Sequence, residues 1–447
     1  MQQRLFSDRM LIKLIIPLVI EQGLTILVGM ADGVMVSSVG EAAISGVSLV
    51  DMIAAVILVL FAALATGGAV VTSQYLGARN MEKARQSAGQ LILMSAGLGV
   101  LILIPCLIFS EQLLMLCFGA IEADVKAAGL VYMRITALSF PFLALYNAGA
   151  AIYRSVGNSK VSMQVSMLMN VINVVGNYFC IFILKWGVIG VAVPTLISRV
   201  VAGVYMMAMV GKRDLELRPT RKGLTTIDGQ MMTSILGIGV PSACENCFFS
   251  LGRLIVASMI TLFGTSQVSA NAVAGNIDRL GIIIGQAMGL AMVTVVGQCI
   301  GARDTKQASY YIKKLLGWSY LAQGASNVLI LVFMSQLVGF YGALSGETRE
   351  LAMHLSMLHA GMAIFFWPVS FVLPNALRAA NDVKFTMWVG IGSMLACRIF
   401  GSWLLCVHFG LGAMGVWIAM ITDWVCRTSF FVPRLMGGKW KTKYKPN

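Results

Sequence analysis

Apolar residues run through this chain in long blocks, interrupted by short polar phrases. A bilayer core about 30 Å thick needs roughly 20 apolar residues per helical span. Blocks of that length predict twelve spans, at about 11–36, 43–74, 87–109, 127–151, 161–184, 188–210, 233–260, 267–298, 312–338, 350–376, 385–407 and 412–433. Arg4, Arg9 and Lys13 ahead of the first block resemble the start of a signal peptide. That block contains Glu21 and Asp32 and shows no small-residue cleavage site, so it reads as a retained first span.

Two of the polar breaks are near copies. "YLGARNMEKA" begins at Tyr75, and "CIGARDTKQA" begins 224 residues later at Cys299. The same offset relates Pro17 to Pro241, Glu21 to Glu245, Gly40 to Gly264, Arg154 to Arg378 and Lys160 to Lys384. "GVIGV" at Gly187 returns as "GAMGV" at Gly412, one residue out of phase. The chain therefore reads as an all-α integral membrane protein of two pseudo-symmetric six-helix bundles, an N-terminal lobe 1–223 and a C-terminal lobe 224–447. Six spans per half make the repeats parallel, the kind that encloses a central site.

Charge then orients the chain. Lysine and arginine crowd the N-terminus, the breaks after spans 2, 4, 6, 8 and 10, and the C-terminus. Only Lys126, Lys185 and Arg349 fall in the other breaks. The positive-inside rule places both termini in the cytoplasm of a multi-pass plasma-membrane protein. The net charge of +14 thus reflects topology and implies no nucleic-acid partner. Composition agrees: 58% hydrophobic, 12% charged, with mean hydropathy +0.83.

Charges inside spans are costly and usually functional. The acids are Glu21, Asp32, Asp51, Glu245, Asp278 and Asp423. The arginines Arg134, Arg199, Arg253, Arg279, Arg398 and Arg427 match them in number and are expected mainly to pair with them. Those near span ends, such as Arg427, are expected to snorkel to the interface. Asp32 stands apart: it lies between Gly29 and Gly33, near Met30 and Met35, with no basic residue within a helical turn or two. A desolvated carboxylate there can exchange a proton or hold a cation, which an antiporter requires; the bland alternative is a structural hydrogen bond. Asn173 and Asn177, four apart, share a helix face and can complete a cation site or act as interhelical glue.

Glu21 and Glu245 suggest a shared role at the pseudo-axis, in substrate binding or in packing. The 29 methionines suit either an adaptable binding surface or a plain membrane core. Gly281, Gly285 and Gly289 form a double GxxxG read as packing. Cys244 and Cys247 lie inside a span and read as small apolar residues. His354, His359 and His408 lack metal-ligand spacing. No phosphate loop, HExxH or GxSxG is present, so neither ATP hydrolysis by this chain nor enzyme chemistry is expected.

The span 1 phrase "EQGLTILVGMADGVMVSSVGEAAISGVS" resembles the first helix and loop of the multidrug and toxic compound extrusion (MATE) transporters. "GARNMEKAR" and "GARDTKQAS" resemble that family's loops after helices 2 and 8, and "YRSVGNSK" and "LRAANDVKF" those after helices 4 and 10. The resemblance implies alternating-access export of small organic, often cationic, compounds in exchange for H+ or Na+. A monomer with no cofactor and no ATPase subunit is expected. It carries the family's helix 1 acid onto Asp32, its helix 5 pair onto Asn173 and Asn177, and its helix 6 threonine onto Thr195, after "GVAVP". Many members have Asp where Asn177 stands, which leaves the coupling ion open. The acids that some members carry in the second lobe are not in register: Trp367 and Phe249 fall near those places and Glu245 is offset by a turn. Glu21, Glu245, Asp51, Met30 and Met35 are further candidates for substrate contact or the lobe interface. The rival reading is a flippase of related fold for a lipid-linked or polyisoprenoid substrate, which an arginine-lined cavity would favour.

Overall fold

A computed structural model describes residues 4–119, 121–342 and 344–444; the ends of the expected lobes, 1–3 and 445–447, lie outside the described residues. Among these the chain is helical, with no strand. The first half contains α1 (Asp8–Ser37), α2 (Glu41–Gly77), α3 (Met81–Ile108), α4 (Ser110–Phe118), α5 (Ala123–Ala137), α6 (Phe140–Ser155), α7 (Ser159–Tyr178), α8 (Ile189–Val210) and the short α9 (Arg221–Thr225). The second contains α10 (Gly229–Ile260), α11 (Thr265–Gly301), α12 (Thr305–Val332), α13 (Met334–Gly339), α14 (Gly346–Trp367), α15 (Leu373–Ala379), α16 (Val383–Ser393) and α17 (Gly412–Met436).

Ten helices among the described residues are long and apolar enough to cross a bilayer, and eleven if α5 and α6, bent by 48° to one another, form one span. The expected twelfth, α17, has the length but not the hydropathy, because it carries Asp423 and Arg427 on its buried face. The α5–α6 bend has a local cause. Pro141 cannot donate a backbone hydrogen bond, and it stands at the first turn of α6, where none is needed.

The duplicated phrase is a helix–helix turn made twice. In the first copy the Ala78, Arg79 and Asn80 amides donate to the Gln74, Leu76 and Tyr75 carbonyls at 2.9–3.0 Å; in the second, Ala302, Arg303 and Asp304 donate to Gln298, Ile300 and Cys299, all at 3.0 Å. Arg79 and Arg303 sit at φ 58° and 56°, the left-handed turn that ends each helix. Asn80 then caps α3 by accepting from the Lys83 amide at 3.1 Å, and Asp304 caps α12 by accepting from Gln307 at 2.9 Å. "GAR" followed by Asn or Asp is therefore stop-and-restart chemistry, with the basic side chains left in the polar break.

The helices divide into two compact units. One is Asp8–Ala243; the other is Met1–Ser7 with Cys244–Asn447. In the first, α7 packs on α1 and α8, and α6 on α3 and α8. Glycines permit the closest approaches. A Cβ on Gly203 of α8 would stand 2.5 Å from the Phe142 carbonyl oxygen, and one on Gly176 of α7 would stand 2.7 Å from the Pro194 side chain. In the second unit α11 packs on α12, α14 and α15. Its Gly281, Gly285 and Gly289 abut Asn327, Trp367 and Asn375, so the double GxxxG does pack.

The one-residue slip in the repeat also has a structural origin. A π turn over Met394–Phe400 follows α16 directly, whereas the corresponding stretch of α7 stays α-helical. A π turn holds one extra residue. Beyond it the offset is 225: Gly176 packs on Pro194, and Gly401 packs on Ala419.

Gly203→Val should force backbone apart and lower stability by about 1–3 kcal/mol. Gly97, with nothing within 4 Å of a built Cβ, should accept valine with little change. Thermal unfolding of the two purified variants in detergent checks the contrast.

Candidate functional site

Asp32 lies late on α1, and Asn173 and Asn177 lie one turn apart on α7, which packs along α1. The Asn177 amide donates to Asp32 Oδ1 at 2.9 Å. Asn173 fits in two orientations. With its nitrogen toward Asp32 it donates to both carboxylate oxygens at 2.9 Å, and its oxygen accepts from the Thr195 hydroxyl at 3.1 Å. Turned over, the nitrogen donates to Thr195 Oγ1 at 3.1 Å and the amide oxygen faces the carboxylate. The first suits an ionised Asp32; the second suits a protonated one, which has a hydrogen to give.

Thr195 comes within reach because Gly176 lets α7 close on Pro194 of α8, one residue before it. Its hydroxyl also reaches the Val191 carbonyl at 2.9 Å. Asn177 Oδ1 is buried and has no hydrogen-bond partner. An acceptor left bare beside a carboxylate is costly unless a proton donor or a cation visits it. Among the described residues no lysine or arginine lies within 4 Å of Asp32, and no group of three or more His, Cys, Asp or Glu is placed to hold a metal ion. A π turn, Phe179–Ile183, begins two residues beyond Asn177. Such turns are frequent at functional sites.

Asp51 on α2 stands outside this hydrogen-bonded group. It accepts from the Tyr132 hydroxyl at 3.2 Å, and with Arg199 it acts on Asp32 only through space. Arg199 itself donates to Ser139 Oγ at 3.1 Å. Met30 is exposed and Met35 half-buried, and neither belongs to the polar cluster.

Glu21 and Glu245 are in a different situation: each faces the arginine that the repeat pairs with the other's. Glu21 lies 3.8 Å from Arg154 and accepts from the Tyr146 and Ser162 hydroxyls at 3.2 and 2.8 Å. Glu245 lies 2.7 Å from Arg378 and 3.8 Å from Arg427. Gly390 makes room for it, because a Cβ there would sit 2.7 Å from Glu245 Cγ and Oε1. The signal was in the sequence, since both glutamates and both arginines obey the 224-residue offset. Arg427 is a correction. It does not snorkel to an interface but is 2% exposed and bound to Asp423 at 3.0 Å.

The family model MatE matches the chain twice, at residues 17–179 and 241–404, well over half its length. The chain belongs to the MatE family. MatE (MATE) proteins are transporters, not enzymes, and this one is a multi-pass membrane protein. It is 30% identical over 418 residues to the uncharacterized transporter YisQ of Bacillus subtilis, covering 92% of this chain and 90% of that one. It is 26% identical over 443 residues to the probable multidrug resistance protein NorM of Thermotoga maritima, covering 97% and 93%. Among solved structures it shares the fold of a MATE protein in the bent conformation, with TM-score 0.87, 22% identity and 96% of each chain covered. It also shares the fold of an outward-facing multidrug resistance MATE transporter, with TM-score 0.89, 23% identity and 96% of each covered.

In this MatE chain Arg378→Gln should leave buried Glu245 with only its 3.8 Å contact to Arg427 and cost up to about 3–5 kcal/mol, while the double variant Glu245→Gln/Arg378→Gln should recover part of it. Thermal unfolding of the single and double variants measures both.

Proposed function

We propose that this MatE transporter is a multidrug efflux antiporter. It exports organic, often cationic, compounds across the plasma membrane in exchange for H+ or Na+, as a monomer with both termini cytoplasmic and no ATPase subunit. The observation that carries this reading is the Asp32 carboxylate, held by two amides and free of any guanidinium within ion-pair reach. The names of two relatives support the cargo class: NorM, and the multidrug export protein MepA of Staphylococcus saprophyticus, 21% identical over 425 residues.

An arriving proton neutralises Asp32, and the Asn173 amide turns to accept the new O–H. An arriving sodium ion instead meets Asp32 Oδ1 or Oδ2, the bare Asn177 Oδ1 and, in one amide orientation, Asn173 Oδ1, with Thr195 Oγ1 beside them. All are hard oxygen donors, which suit an alkali cation. Either event removes the negative charge that a cationic substrate would otherwise meet. Ion and cargo then favour different arrangements of the lobes 1–223 and 224–447, and each weakens the other's binding by linkage.

The flippase reading retains one supporting observation, the group of guanidiniums in the second unit described below, which suits an anionic head group.

In inverted vesicles, ethidium uptake driven by a pH gradient or a sodium gradient should stop in Asp32→Asn, while ethidium binding to the purified variant persists. Gradient-driven uptake that survives in Asp32→Asn removes Asp32 from the coupling role. Imposing the two gradients separately on the wild-type protein identifies the ion.

A further inference from the structure

The charges carried by the helices around Glu245, Asp278 and Asp423 do not balance. Arg253, Arg279, Arg378, Arg398 and Arg427 outnumber Glu245, Asp278 and Asp423. Arg378 and Arg427 take up Glu245 and Asp423, at 2.7 and 3.0 Å. Asp278 is held by His359 Nε2 at 2.5 Å. That leaves Arg398, whose nearest carboxylate oxygen, on Asp423, is 3.9 Å away. Its Nε has no partner although the residue is only 8% exposed. Arg253 and Arg279 form no ion pair among the described residues, and both are exposed. Arg253 is within electrostatic range of Asp278 and then of Arg279, and Arg398 is within range of Asp423 and then of Arg253. A guanidinium at membrane depth is expensive unless something neutralises it, and this unit places Arg253 within range of both Arg279 and Arg398.

An aromatic surface adjoins them. The Arg398 guanidinium stands 5.2 Å over the Phe249 ring, which lies one turn before Arg253 on α10. Phe249 meets Phe371 edge-on at 5.9 Å, and Phe371 stacks on Trp367 at 5.0 Å. The repeat sharpens the contrast with the first unit. Between the matched residues Asn170/Met394 and Gly176/Gly401, the first unit carries Asn173 and the second carries Arg398 in its π turn. The place of a neutral amide facing a carboxylate is taken by a fixed cation.

We propose that the second unit holds the carboxylate of an aromatic organic anion or zwitterion, with Arg253 and Arg398 on the carboxylate and Phe249 against the ring. This deepens the export reading by naming a substrate class, and it rests on that reading for transport but not for binding. Guanidinium–carboxylate bonds are charge-assisted and directional, and the flanking ring adds stacking area. An organic cation finds no counter-charge among these arginines.

The probes are 9-anthroate and its cationic counterpart 9-(aminomethyl)anthracene, titrated by fluorescence against the full chain in phosphatidylcholine nanodiscs. Anthroate should bind, and Arg253→Gln and Arg398→Gln should each weaken it by about tenfold or more while leaving the amine unaffected. Arg398 is buried and its loss can disturb folding, so the exposed Arg253 is the deciding variant. Unchanged anthroate affinity in Arg253→Gln overturns the proposal, as does an absence of anthroate binding to the wild-type protein. Displacement of anthroate by phosphatidylglycerol added to the nanodiscs also overturns it, in favour of a lipid head group. Asp32→Asn should bind anthroate as the wild type does, so a failed coupling role and a failed anion site give different results.

Discussion

A charge inside a hydrocarbon slab must be cancelled by something, and much of this molecule's interior is arranged around that requirement. Most of the buried carboxylates have a fixed guanidinium or hydrogen-bonding partner. Glu21 has Arg154 and two hydroxyls, Glu245 has Arg378, Asp423 has Arg427, and Asp278 has His359. Such pairs contribute little net stability over a well-packed apolar pair, yet they are severely destabilising to break. They act as fixed clasps, three of them between helices and one, Asp423–Arg427, along α17. Against that background the incompletely cancelled groups are conspicuous. Asp32 has only amide donors, and Arg398 has only a long contact, 3.9 Å, to an Asp423 that Arg427 already holds at 3.0 Å. The two kinds of incompleteness have opposite sign and fall in different units.

Much of this was legible in the sequence, for identifiable reasons. Long apolar blocks announce helices because a bilayer allows few other structures. The repeat announces itself because the same turn needs the same residues: a glycine near the helix end, a left-handed residue, then Asn or Asp as cap, as at Gly77 to Asn80 and Gly301 to Asp304. The grouping of Asp32 with Asn173, Asn177 and Thr195 was readable from the family resemblance and the four-residue spacing of the asparagines. Their hydrogen bonds span up to 145 positions of chain, which no local pattern encodes.

What stayed hidden depends on packing. Arg427 looked like an end-of-span residue, yet α17 turns it onto Asp423 one turn earlier on the same helix, and that internal pair explains why α17 is too polar to pass as a span. The partners of Glu21 and Glu245, in the last turns of α6 and α15, were counted toward topology, and only the 224-residue offset marks them out. The π turn over Met394–Phe400 appeared in the sequence only as a one-residue slip, with nothing to say that Arg398 sat on it.

The boundary between the two compact units falls inside α10, between Ala243 and Cys244, and not in the polar break that precedes it. The peptide connection at that boundary is thus a rod and not a string. Pro241, two residues before it, denies the Gly237 carbonyl its usual helical donor, so this is where the rod yields most cheaply. Bending of α10 is therefore expected at one place and not spread along the helix.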